Sequence, residues 1–99
     1  MKKNNKKILV VDDDRGIGQM LKMELECNGY EVFVSEKPDE TEENIMAHDI
    51  DLVLLDMLIS GINGTEVCAR LRRDEKTKHL TILMMSAFYD AREQQDSRC

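Results

Sequence analysis

The chain has 99 residues, 41% of them apolar, carries a net charge of −6, and contains two Phe, two Tyr and no Trp. That length makes one domain whose core must be aliphatic and Met-rich. The negative charge argues against nucleic-acid binding by this chain, which needs clustered Lys and Arg. No apolar stretch reaches the roughly eighteen residues of a membrane span.

Residues 1–6 read as a flexible polar lead. The basic run Lys2, Lys3, Lys6 and Lys7 is a solubilising terminus, and Ile8 to Val11 is too short an apolar segment for a signal peptide, so a cytoplasmic protein is expected. Ile8-Leu9-Val10-Val11 is a continuous apolar run ending on Asp12-Asp13-Asp14, the pattern of a buried strand with carboxylates at its carboxyl end. From Gly16 the period changes. Ile17, Met20, Leu21 and Leu25, with Met23 beside them, follow helical spacing, with Asp14 as the N-cap and Asn28-Gly29 as the stop. Glu31 to Val34 reads as a short second strand.

Pro38 opens the next helix, and Asp39, Glu40, Glu42 and Glu43 crowd its first turn, where the helix dipole favours negative charge. This acidic run is a solvated helix start rather than a metal site. Ile45 and Met46 give a thin apolar face, and His48 falls at the helix end as a cap. Leu52-Val53-Leu54-Leu55-Asp56 is the stretch around which the chain is organised: four large apolar residues closed by one carboxylate and a loop bearing Gly61 and Asn63-Gly64. It reads as a strand buried on both faces. Val67, Cys68 and Leu71 mark a third helix, with Arg70, Arg72 and Arg73 on its outer side. Thr77 to His79 connect it to a fourth strand, Leu80 to Met85, which ends on Ser86-Ala87. Residues 88–99 are a polar tail. Cys27, Cys68 and Cys99 lack ligand spacing; the first two are small core or helix residues and the last is exposed.

Strands alternating with helices specify an α/β fold with a parallel sheet and right-handed crossovers. Such sheets present chemistry at the carboxyl ends of their strands. Asp12 and Asp13, Asp56 and Ser86 would meet there. Clustered carboxylates repel, so they bind a hard cation or take raised pKa values, and Mg²⁺ suits an all-oxygen set. Beside a cation, a carboxylate can attack a phosphoryl group and form an aspartyl-phosphate.

These residues together resemble the receiver domain of two-component response regulators, over roughly residues 6–90: Lys7 to Asp13, the strand ending on Asp56, the Gly61 and Asn63-Gly64 loop, and the strand ending on Ser86-Ala87. The resemblance implies a flavodoxin-like doubly wound parallel sheet of strand order 2-1-3-4. It also implies that Asp56 accepts a phosphoryl group from a sensor histidine kinase or histidine phosphotransfer protein. Asp13 would then bind Mg²⁺ directly, Asp12 through water, and the Leu58 carbonyl would be a further ligand. Ser86 would be the switch hydroxyl, Ala87 would keep the approach open, and a downstream output protein or domain would read the modified state. The chain would be a substrate and switch rather than an enzyme, at most dephosphorylating itself slowly.

Two departures stand out. Ile59-Ser60 replaces the family's usual Met-Pro, and the family's fifth strand, with its lysine and signalling aromatic, and fifth helix are absent. Lys76, Lys78, Phe88 and Tyr89 match neither role. Without that strand, Leu80 to Met85 becomes an apolar sheet edge that invites a homodimer. Two other readings remain open. One is a receiver-like binding module that is never phosphorylated. The other is a haloacid-dehalogenase-type phosphatase using Asp12, whose Asp-x-Asp spacing Asp12-Asp13-Asp14 contains.

Overall fold

The structure is a computed structural model that describes residues 6–56, 58–59 and 62–85. Four strands form one parallel sheet: β1 (Lys7–Val11), β2 (Glu31–Ser35), β3 (Leu52–Asp56) and β4 (Thr81–Met85), in the order β2-β1-β3-β4. The helices between them are α1 (Arg15–Cys27), α2 (Thr41–His48) and α3 (Gly64–Arg73), with a 3₁₀ turn, Pro38–Glu40, leading into α2. The expected α/β architecture and strand order are those observed.

Alternation along each strand divides the apolar side chains between two cores. Leu9, Val11, Val53, Leu55, Ile82 and Met84 pack with Ile45, Val67, Cys68 and Leu71, on the side of α2 and α3. Ile8, Val10 and Val32 pack with Leu21 and Leu25 of α1, joined by the half-buried Leu52, Leu54 and Met85. β1, in the middle, is buried on both faces, whereas β3 is fully buried only at Val53 and Leu55. The expectation of a doubly buried β3 therefore holds for one face. Among the described residues, α1 packs on β1 and β2 and leaves the neighbouring strands partly open.

Asp14 caps α1 as expected, its carboxylate accepting from the Ile17 amide at 3.2 Å. At the other end Asn28 is the C-cap and Gly29 adopts φ 92°, the left-handed geometry that glycine takes without strain. The apolar stripe of α1 is narrower than its spacing suggests. Met20 and Met23 are 58% and 68% exposed, and the buried contact runs through Gly18 and Leu21 to Leu25. A Cβ on Gly18 would stand 2.8 Å from Cγ1 of Val34, so the missing side chain is what lets α1 lie this close to β2. Met46 of α2 is likewise exposed.

Two side chains assigned to caps or the surface tie elements together instead. The His48 ring stacks on Phe33 of β2, with centroids 4.0 Å apart. The Arg70 guanidinium lies half-buried against α2. It donates to both carboxylate oxygens of Glu42 and, through Nη2, to the Pro38 carbonyl at 2.8 Å. Arg72 donates to the Lys78 and Leu80 carbonyls and so ties the α3–β4 connection to α3. The loop after Asp56 contains a two-residue antiparallel ribbon, Leu58–Ile59 with Ile62–Asn63, which the glycine-bearing spacing did not foretell. Among the described residues, no helix is long and apolar enough to cross a membrane.

Candidate functional site

Register brings the acids together. β1 and β3 pair with Val11 opposite Leu55, so the next residues, Asp12 and Asp56, emerge at one level of adjacent strands. The Asp12 amide continues the ladder beyond β1 by donating to the Ser35 carbonyl at 3.0 Å, which fixes where the chain turns away. Asp13 follows, exposed at the lip, and Asp14 starts α1. One carboxylate oxygen from each of Asp12, Asp13 and Asp56 lies within 4.8 Å of the others.

The three acids sit in unequal surroundings. Asp12 is 3% exposed, and one of its carboxylate oxygens accepts from the Asp14 amide at 2.9 Å. Burial raises its pKa to about 6, against that hydrogen bond, and the charges of Asp56 and Asp13 push in the same direction as burial. Asp56 is half-buried at the end of β3, and Asp13 faces solvent.

This set is chemically suited to a hard, oxygen-seeking cation. Opposite ligands of an octahedral Mg²⁺ are about 4.2 Å apart, and Mg²⁺ keeps several of its waters. Three carboxylate oxygens within 4.8 Å of one another suit a small cation that keeps part of its own water shell. An ion there would also relieve the like charge that raises the Asp12 pKa.

Of the residues assigned to the site from sequence, Asp12, Asp13 and Asp56 are brought together. Leu58 follows Asp56 in the short ribbon, its backbone paired with Asn63. Ser86 and Ala87, like the polar tail over 88–99 and all but Lys6 of the lead, lie outside the described residues. β4 ends at Met85, in register with Asp56. The part of Asp14 beyond its cap, the amide held on Asp12, was not read from sequence. The Asp12-Asp13-Asp14 run carries no signal that distinguishes a capping acid from one that also holds its neighbour.

Comparison with known proteins agrees with this arrangement. The family model described as response regulator receiver domain matches residues 8–97. The phosphate regulon transcriptional regulatory protein PhoB of Pseudomonas aeruginosa is 39% identical over 82 residues, which cover 83% of this chain and 36% of that protein. The chain thus spans about a third of the length of the curated relatives it matches. Response regulator TrrA of Thermotoga maritima, solved in complex with Mg²⁺-BeF, superposes with a TM-score of 0.77 at 37% identity, covering 93% of this chain and 77% of that one. TrrA has also been solved in complex with the histidine kinase ThkA, with a TM-score of 0.77 at 36% identity and coverage of 91% and 76%. In sequence, in strand order and in the acids at its strand ends, this chain belongs to the response regulator receiver domain family.

Proposed function

We propose that residues 1–99 act as one receiver unit, a phosphoacceptor switch in a cytoplasmic two-component system, with Asp56 as the acceptor. The observation that carries this is the meeting of Asp12, Asp13 and Asp56 at the carboxyl ends of β1 and β3. A carboxylate oxygen of Asp56 attacks the phosphorus of a phosphohistidine on a sensor kinase or phosphotransfer protein. The phosphorus–nitrogen bond breaks, and the freed imidazole leaves with a proton from solvent. Bound at these acids, Mg²⁺ would neutralise charge developing on the phosphoryl oxygens. Asp13 would hold it directly and Asp12 through water, with the Leu58 carbonyl as a further ligand.

Asp12 is the least accessible of the three for attack on a phosphoryl group, because it is 3% exposed and one of its carboxylate oxygens is engaged by the Asp14 amide. Ser86 would hydrogen-bond the new phosphoryl oxygens and Ala87 would leave room for them, changing that surface for a downstream output protein or domain. The kinase complex of the TrrA relative supports the choice of donor class. The chain is then a substrate and switch, with at most slow self-dephosphorylation. The phosphatase reading through Asp12 has no support in the family to which the chain belongs.

Intact-protein mass after incubation with acetyl phosphate and Mg²⁺ tests the proposal. One added phosphoryl group is expected, absent without Mg²⁺ and absent in Asp56→Asn. No addition to a folded sample would make the chain a receiver-like binding module. Addition that survives Asp56→Asn and disappears in Asp12→Asn would move the acceptor to Asp12.

A further inference from the structure

Asp14 takes part in two structures at once. Its carboxylate caps α1 at the Ile17 amide, 3.2 Å away, and its carbonyl accepts from the Gly18 amide at 3.0 Å. Its own amide donates to a carboxylate oxygen of Asp12 at 2.9 Å. Gly18, one turn further on, rests against Val34 so closely that a methyl group would not fit. The Asp12 carboxylate is therefore oriented by a backbone amide whose position depends on the first turn of α1, and that turn is seated on β2. We propose that Asp14 is a positioning residue for the cation site: by capping α1 it holds its amide on Asp12, so that ordering of the α1 first turn and cation binding at Asp12, Asp13 and Asp56 reinforce each other.

This rests on the phosphoacceptor reading only in taking those acids as the site of a divalent cation. It is distinct from a charge effect. Asp14 is exposed and also an anion near the cluster, so its charge alone would attract a cation weakly and be screened by salt. A cap is supplied equally well by a neutral Asn, which accepts the same amide. Groups that orient metal ligands commonly matter about tenfold or more in metal affinity.

The test is Mg²⁺ titration of the full chain by calorimetry, with thermal melts of the same samples. Asp14→Ala is expected to weaken Mg²⁺ binding about tenfold, whereas Asp14→Asn should stay within about twofold of the parent. Asn28→Ala, which removes the Asn28 side-chain bond to the Glu24 carbonyl at the far end of α1, should lower the melting temperature and leave Mg²⁺ affinity unchanged. Equal weakening in Asp14→Ala and Asp14→Asn would reduce the effect to charge and overturn the proposal. So would unchanged affinity in Asp14→Ala, or an equal loss in Asn28→Ala. A parent chain that binds no Mg²⁺, or binds it independently of Asp56→Asn, would overturn the site itself and this proposal with it.

Discussion

The buried acid at the end of β1 makes metal-free stability pH-dependent. Asp12 holds its proton to about pH 6 in the folded chain, against an ordinary value of 3.8. Between those values the native state binds more protons than the unfolded one. Its contribution is thus fully present below about pH 4 and is lost as pH rises through 6. The total is at most about 3 kcal/mol, taking about 1.4 kcal/mol for each unit. Urea denaturation in a chelating buffer should show the parent losing stability from pH 5 to 7 relative to Asp12→Asn, which lacks the titrating group. Saturating Mg²⁺ should flatten the parent's slope, since the ion keeps Asp12 ionised in the folded chain, as it already is in the unfolded one over this range. A parent and Asp12→Asn with parallel pH profiles would contradict this. The three aspartates themselves were legible in the sequence, because Asp12 and Asp56 each close an apolar run at a strand end and Asp13 directly follows Asp12. The burial of Asp12 and exposure of Asp13, adjacent in sequence, were not: they depend on which way the chain leaves β1, set by the Asp12 amide bond to Ser35 of β2.

Between elements, two close contacts hold the helices to the sheet and to each other. Gly18→Ala places a methyl group against the stiff Val34 side chain, and overpacking of this kind costs about 1–3 kcal/mol. The better helix propensity of Ala offsets up to about 1 kcal/mol of that, so a net loss is expected. Adding Val34→Ala should remove the clash, giving a double variant less destabilised than the two single losses sum to. A double-mutant cycle by urea denaturation reads this, and strict additivity would show that α1 shifts without resistance. Arg70 joins α3 to α2, and its hydrogen bond to Glu42 raises its pKa and keeps it charged. Arg70→Ala should cost about 1–3 kcal/mol, chiefly by taking its Arg70 donor from the part-buried Glu42 carboxylate, since the Pro38 carbonyl still accepts from the Thr41 hydroxyl. Arg70→Lys should restore little, because an ammonium cannot span both acceptors in the same fork. Equal melts for parent and Arg70→Lys would refute the bidentate geometry. Neither contact shows in periodicity: Arg70 sits among charged residues like a solvent-facing arginine, and its partner Glu42 stands 28 residues earlier in the chain.

For the whole molecule, the sheet is closed by helices on one face and, among the described residues, only partly on the other. β4 reads Thr-Ile-Leu-Met-Met, with no charge, proline or bulge to protect an edge. Among the described residues it pairs only with β3. We expect two copies to meet along β4. Antiparallel pairing centred on Leu83 would set Ile82 of one copy opposite Met84 of the other, apolar against apolar. Sedimentation over a wide concentration range should show mass rising with concentration in the parent and not in Leu83→Lys. A constant monomer mass for both would refute the pairing.

The sequence by itself determined the order and type of the main elements, the Asp14 cap, the Gly29 stop and the acids that meet at the strand ends. These are local or periodic properties: apolar runs, helical spacing, and residues at the ends of both. The tertiary structure alone decided which apolar residues are covered. Met20, Met23 and Met46 lie on helices with the right spacing yet face outward, because cover depends on where the neighbouring strands run. It also decided that His48 stacks on Phe33 and that Arg70 is half-buried. It put Asp12 under burial strong enough to move its proton. Those properties belong to pairs of residues far apart in the chain, and only packing creates them.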